Sequence, residues 1–225
     1  MITFNFNNLR ILSFSAHPDD DIGGAGGFLL QAKKNNALIK LALCLDPAEE
    51  RINATAKQER VTRIAEFEMA ATQLGAEFSY LGLPRYPLLN LENLLPLIKE
   101  IRDFRPRVIL APSEEEYHRD HRTVYELVKT AAWQAGRNAF PGCGLPWKTR
   151  SLLQYEADNP MRNPTIIRDI SDVMEEKKKL LSSYSSQIRR KDLVSAVEGL
   201  NRFRGIMYKK GVYAEAFKIS EFFYG

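Results

Sequence analysis

Apolar residues gather in short runs that break off into polar, charge-rich segments. Ile11 to Ala16 is mostly apolar and stops at His17-Pro18-Asp19; Leu38 to Leu45, Glu77 to Leu83 and Arg107 to Ala111 repeat the pattern. Runs of this length bounded by breakers predict buried strands. Helical periodicity fills the intervals. After a glycine-rich loop, a helix is expected from Ala25 to about Asn35. The next spans Thr55 to Leu74, with Val61, Ile64, Ala65, Phe67, Ala71 and Leu74 on one stripe and a stop at Gly75. Leu91 to Phe104 ends at Arg105-Pro106, and Thr123 to Ala135 closes the series. Strands alternating with such helices predict a mostly parallel sheet covered on both faces.

Beyond Pro141-Gly142-Cys143-Gly144 the pattern loosens into strand-like Ser151 to Glu156 and Thr165 to Ile170. A helix over about Ser171 to Ser183 and another over about Asp192 to Lys210 follow. Neither a repeat nor a Gly-, Pro- or Ser-rich linker marks off a second unit. One α/β domain over 1–225 is expected, with a core at 1–140 and a C-terminal strand and helix extension at 141–225.

The chain has 225 residues, 44% hydrophobic and 27% charged, with 32 Lys and Arg against 28 Asp and Glu. That balance is ordinary for a globular protein and only mildly basic. The densest basic runs, Lys177-Lys178-Lys179 and Arg189-Arg190-Lys191, sit in helix-like stretches of mixed charge without interleaved aromatics. They read as solvated helix faces, so no nucleic-acid partner is expected. Two cysteines, Cys44 and Cys143, cannot build a disulfide framework, and Cys44 falls in an apolar run that suits a small buried thiol. Met1 to Phe14 lacks the features of a signal peptide, and no apolar run approaches the roughly 20 residues that span a bilayer. A reducing cytoplasm, with no membrane partner, is the simplest expectation.

All three histidines fall in two short clusters about a hundred residues apart, Ala16-His17-Pro18-Asp19-Asp20-Asp21 and His118-Arg119-Asp120-His121. Each follows a predicted strand. If the sheet runs 3-2-1-4, the ends of strands one and four are neighbours, and in open sheets ligands bind where the order reverses. A catalytic zinc takes about three protein ligands, commonly imidazoles and a carboxylate, and keeps one position open. His17, Asp20 and His121 supply that set. Zinc lowers the pKa of its water to about 7, and Asp19, left free by the spacing, is the expected general base. His118, if protonated, can donate to an oxyanion, with Asp120 to orient or charge-stabilise His118.

Plainer roles compete. Any of Asp19, Asp20 and Asp21 suits a helix N-cap, Asp21 best of all. Gly23, Gly24, Gly26 and Gly27 do not match the dinucleotide fingerprint and follow three acidic residues, which argues against a phosphate cradle. Close backbone packing behind the loop is their expected use.

At these residues the chain resembles the LmbE/PIG-L family of zinc-dependent N-deacetylases. The family's Ala-His-Pro-Asp-Asp-Glu loop is matched by Ala16 to Asp21, with Asp21 for the glutamate. Its His-Pro-Asp-His loop is matched by His118 to His121, with Arg119 for the proline. Arg63 with Glu66 and Leu74-Gly75, the stretch Leu81-Gly82-Leu83-Pro84, and Asp169-Ile170-Ser171 with Lys177 and Ser186-Gln187 extend the likeness. Gly211 to Phe217 resembles the ending of the bacillithiol-pathway and chitooligosaccharide branch.

The resemblance implies a Rossmann-like three-layer sandwich with zinc at His17, Asp20 and His121, general base Asp19, and oxyanion support from His118. Arg63 would reach the substrate. Arg119 adds a cation beside the metal, suited to an anionic substrate group or to solvent. The implied activity removes the N-acetyl group from an N-acetylglucosamine-type sugar or glycoside. The same ligands accept Fe2+ or another divalent ion, and relatives are often homo-oligomers. Two other readings are a non-catalytic, metal-retaining sugar-binding or regulatory protein and a metal-dependent phosphoesterase.

Overall fold

A computed structural model describes residues 6–48 and 54–222. Residues 1–5, part of the stretch weighed for a leader, lie outside it. The strands are β1 (Arg10–Ser15), β2 (Leu38–Leu45), β3 (Glu77–Leu83), β4 (Val108–Pro112), β5 (Ser151–Tyr155), β6 (Ile166–Asp169) and β7 (Ala214–Phe222). They form one sheet in the order β3-β2-β1-β4-β5-β7-β6. The first five pair in parallel, and β7 lies antiparallel between β5 and β6. The expected 3-2-1-4 order is present, and the extension continues the same sheet. The order reverses between β1 and β4, so a crevice opens past their carboxyl ends.

The helices are α1 (Asp20–Lys34), α2 (Ala54–Leu74), α3 (Leu91–Phe104), α4 (Arg119–Ala135), α5 (Met174–Leu181), α6 (Ser185–Ile188) and α7 (Leu193–Met207). Two cores flank the sheet. On one face Ile22, Phe28 and Leu29 of α1 pack with Phe67 and Leu74 of α2 and Leu181 of α5. On the other, Leu97, Ile98 and Ile101 of α3 meet Val124, Leu127 and Val128 of α4. Strand β1 feeds both, Ile11 to the first and Leu12 and Phe14 to the second. Burying each such side chain contributes about 1.5–3 kcal/mol, which is why the central strands read as nearly unbroken apolar runs. Among the described residues, no helix is long and apolar enough to cross a membrane.

Two helices start earlier than their periodicity indicates. The α1 helix begins at Asp20 and runs through the glycines, and α4 begins at Arg119. Glycine costs a helix about 1 kcal/mol relative to alanine, so the sequence argues for a loop here. Tertiary packing overrides it: a Cβ on Gly24 would collide with the carbonyl oxygen of Glu156, and one on Gly27 would come within 2.6 Å of Ile170. The expected packing role holds for Gly24 and Gly27, inside the helix, but not for Gly23, where a Cβ meets only a Val197 methyl at 3.8 Å. Asp21 is correspondingly not the N-cap. Asp19 holds that position without a capping side-chain bond, and Asp21 sits buried in the first turn with Oδ1 accepting from the Ile22 amide at 2.8 Å.

The extension clamps α1 from behind. Glu215 of β7 accepts from the amides of Gly27 and Phe28 at 2.7 and 2.8 Å, and the fully buried Lys177 of α5 donates to Glu215 at 2.7 Å and Asn201 of α7 at 2.8 Å. Burial pushes the Lys177 ammonium down in pKa, against the pull of Glu215. Glu66 of α2 accepts from Ser185 Oγ and from the Ser186 amide and hydroxyl, closing α6 onto α2. Cys44 and Cys143 are buried free thiols.

Candidate active site

Both histidine clusters stand at the carboxyl ends of adjacent strands, His17 just past β1 and His118 to His121 past β4. His17 Nδ1 lies 3.1 Å from His121 Nε2, His121 Nε2 lies 3.3 Å from Asp20 Oδ1, and His17 Nδ1 lies 3.6 Å from Asp20 Oδ2. Ligands bonded tetrahedrally at about 2.0–2.1 Å are separated by about 3.3 Å. The separations are of that order, but Asp20 approaches His121 through Oδ1 and His17 through Oδ2, and Oδ2 also accepts from the His17 amide at 2.7 Å, so the distances do not set one carboxylate oxygen against both imidazoles. His118 also comes within reach of a shared ion with His17 and His121. Its Nδ1, however, already accepts from the Asp120 amide at 3.2 Å, as N-cap of α4.

Each inward imidazole is backed by a carboxylate. Asp120 Oδ2 is 3.1 Å from His17 Nε2, and Glu116 Oε2 is 3.5 Å from His121 Nδ1. Sequence reasoning paired Asp120 with His118; the structure turns its carboxylate to His17 instead and gives His118 only the backbone amide. The chain enters α4 at His118, which leaves the Asp120 side chain facing across to β1. Glu116 was missed altogether. It is buried, accepts from the amides of Ala157, Asp158 and Asn159 at 2.9, 3.3 and 3.5 Å, and ties the segment after β5 to His121. Its only signal was position, in the run Glu114-Glu115-Glu116 after β4, where nothing distinguishes the carboxylate that turns inward. Glu116, His121 and Asp158 form a second group close enough for a metal, but the three amides occupy Glu116, and Asp158 is exposed and paired with Lys191 at 3.2 Å.

Electrostatics sort the acids. Burial opposes ionisation of Asp20, but His121 and His17 outweigh it and hold its carboxyl well below the usual range. Burial and the neighbouring Asp20 push Asp19 upward and Asp21 well upward. Burial also works against His121, yet Asp20 and Glu116 carry it up to about 11, whereas burial and the other two histidines lower His118. The sequence reading needed a protonated His118; its lowered pKa and an Nδ1 that accepts a backbone bond make it instead a neutral imidazole offering Nε2–H.

Arg63 is buried; its Nη1 donates to the Pro47 carbonyl at 3.0 Å and its Nη2 is 3.8 Å from Asp19 Oδ1. Arg119 is exposed, its guanidinium 5.5 Å from the Tyr86 ring centroid. Arg85, also unforeseen, places Nη2 3.4 Å from Asp120 Oδ2. The structure thus brings His17, Asp19, Asp20, Arg63, His118, Asp120 and His121 into one crevice and leaves Arg119 at its rim.

Comparison with known proteins gives these positions a context. The chain is 26% identical over 179 residues to a 1D-myo-inositol 2-acetamido-2-deoxy-alpha-D-glucopyranoside deacetylase of Rhodococcus opacus (strain B4), an alignment covering 64% of this chain and 60% of that protein. It thus spans less than two thirds of that relative's length. Among solved structures, 4-carboxy-2-hydroxymuconate hydratase from Pseudomonas putida KT2440 superposes with a TM-score of 0.83 at 20% identity, covering 96% of this chain and 98% of the other. The N,N'-diacetylchitobiose deacetylase of Pyrococcus horikoshii superposes with 0.82 at 23% identity, covering 93% and 83%. At such identities these two likenesses speak to the fold alone. The family model for PIG-L, GlcNAc-PI de-N-acetylase, matches residues 12–132, more than half of the chain and the whole of both histidine clusters, and the protein belongs to that family.

Proposed function

We propose that this protein is a metal-dependent N-deacetylase that releases acetate from an N-acetylglucosamine-type sugar or glycoside, leaving the free amine. The observation that carries the reading is the convergence of His17, Asp20 and His121 beside the Asp19 carboxylate, itself 3.8 Å from Arg63, at the β1/β4 switch point. Those three residues would hold zinc, or Fe2+ or another divalent ion. When bound, such a metal supplies Lewis acidity, polarising an amide carbonyl and making water acidic near neutrality.

Asp19 takes the proton of the attacking water. Burial and Asp20 raise its basicity, and Arg63 tempers that rise. His118 Nε2–H donates to the oxygen of the tetrahedral carbon, where a fixed neutral donor costs no reorganisation. Asp120 acts through His17, holding the ring so that Nδ1 faces the other donors. Asp19 then returns its proton to the departing amine. Arg63, and Arg119 at the rim, bind the sugar or its aglycone. A single domain over 1–225 and a cytoplasmic location belong to the same proposal, supported by the continuous sheet and the two free thiols.

The test is acetate and amine release by the zinc-loaded protein from free N-acetylglucosamine, its inositol glycoside, short chitooligosaccharides and a nucleotide sugar. Asp19→Asn is run in parallel with zinc content measured. Release by wild type, lost by about 100-fold or more in Asp19→Asn at equal zinc, is expected. Sugar binding with zinc present and no release from any substrate points to the non-catalytic reading.

A further inference from the structure

We propose that the buried ion pair of Arg204 and Glu156 positions His121, acting through the turn that follows β5 and through Glu116; this rests on the metal-dependent deacetylase reading. Glu156 lies just past β5 and Arg204 in the last turn of α7, both buried. Every nitrogen of the guanidinium is engaged within the protein, so the fork is not held open for a ligand. Nε is 3.4 Å from Glu156 Oε2, and Nη1 donates to the Tyr208 hydroxyl at 3.3 Å. Nη2 donates to Glu156 Oε1 and, at 2.7 Å, to the Met161 carbonyl. Glu156 Oε1 also accepts the Met161 amide at 2.7 Å. Met161 lies in neither strand nor helix, and the pair satisfies both of its backbone groups.

The pair thereby closes the turn of residues 156–161, and that turn holds Glu116. The amides of Ala157, Asp158 and Asn159 converge on the Glu116 carboxylate at 2.9, 3.3 and 3.5 Å, and Glu116 Oε2 faces His121 Nδ1 at 3.5 Å. Asn159 Oδ1 accepts the amide of Tyr117, the residue before His118, at 2.9 Å. Successive amides aimed at one anion form a nest whose shape follows the backbone. Opening the turn at Met161 therefore redirects the carboxylate that faces the imidazole. Stability alone does not call for an ion pair at this place. Well-packed apolar side chains of the same volume are often as stable or more so, whereas a guanidinium fork fixes direction.

The test is zinc affinity by chelator competition, with hydrogen exchange at the amides of 157–159 and acetate release measured alongside. Arg204→Met combined with Glu156→Gln removes both charges together, so neither is left buried and alone. Arg204→Lys keeps the charge but not the fork, and covers the case in which the double variant fails to fold. Leu74→Ala, a buried core substitution on α2 at the amino end of the sheet, is the control for lost stability. The double variant should bind zinc about tenfold more weakly and exchange the three amides faster, with Arg204→Lys between it and wild type. Leu74→Ala should melt lower yet bind zinc within about twofold of wild type. In a Glu116→Gln background the double substitution should weaken zinc by no more than about a further twofold, because the route runs through Glu116. Zinc affinity unmoved by both Arg204 variants, a tenfold loss that persists in the Glu116→Gln background, or an equal loss in Leu74→Ala overturns the proposal. The expected zinc pattern without acetate release by wild type overturns the deacetylase reading and leaves the positioning role standing; acetate release with unmoved zinc affinity does the reverse.

Discussion

Removing the Glu116 carboxylate should separate two jobs that the structure gives it. One oxygen accepts the Ala157 amide at 2.9 Å and reaches Asn159 at 3.5 Å; the other accepts from Asp158 at 3.3 Å and faces His121 Nδ1 at 3.5 Å. Asp158 is exposed and water can replace its bond, so Glu116→Ala strands chiefly the Ala157 donor. That costs about 1–3 kcal/mol of stability. Losing the carboxylate that faces Nδ1 at 3.5 Å also loosens the His121 ring, and loss of such a partner weakens metal binding about 10- to 100-fold, or about 1.4–2.7 kcal/mol. Glu116→Gln keeps an oxygen for the Ala157 amide but not the charge, so it should hold stability to within about 1 kcal/mol while still weakening the metal. Zinc affinity by chelator competition and thermal unfolding with and without chelator read the two effects separately. The stabilisation conferred by zinc should shrink by the same 1.4–2.7 kcal/mol, roughly, in either variant. Zinc affinity within twofold of wild type in Glu116→Gln, with an unchanged melt for Glu116→Ala, refutes the reasoning.

Metal binding should release protons. Against burial, Asp20 and Glu116 raise His121 to about 11 in the metal-free protein, so its charged form stabilises that state fully below the ordinary histidine pKa, and the contribution is lost as pH climbs through about 11. A ligand imidazole must be neutral; titrating zinc into apoprotein near pH 8 should therefore give enthalpies that vary with the buffer's ionisation heat, and identical enthalpies across buffers count against it. On α1, Gly24→Ala meets the Glu156 carbonyl and should destabilise by about 1–3 kcal/mol. Gly23→Ala meets only a Val197 methyl at 3.8 Å and should stabilise by up to about 1 kcal/mol. Denaturant midpoints that move the same way in both variants would show that the helix is not packed as described.

The layers of the fold were legible because burial writes directly into sequence. Leu41 to Leu45 and Val108 to Ala111 are apolar on both faces because helices cover both sides of a parallel sheet. Local propensity misled where tertiary contacts override it. The glycines of α1 read as a loop, yet two of them, Gly24 and Gly27, let a helix lie against Glu156 and Ile170. Strand β7 was flagged only as a motif, because its place between β5 and β6 depends on an antiparallel return that short-range periodicity does not encode. Glu215 within it appeared as one letter of that motif; its bonds to Gly27, Phe28 and Lys177 emerge only once the extension has folded back.

At the site, sequence exposes residues whose chemistry is rare and hides those whose chemistry is common. Three histidines in two acidic clusters stand out in a chain of this composition, and the topology then brings both clusters to one crevice. Glu116 and Arg85 belong to abundant residue types, and what distinguishes them is direction: one turns from a run of three glutamates towards His121, the other reaches from the loop after β3 to Asp120. Asp120 illustrates the same limit from the opposite side. Its adjacency to His118 in sequence suggested a pair, but a helix that starts at Arg119 carries the carboxylate to His17, about a hundred residues away along the chain. Contacts between the ligand loops and their supports are made across strands, so it is the sheet order, more than the motif, that decides which carboxylate holds which imidazole.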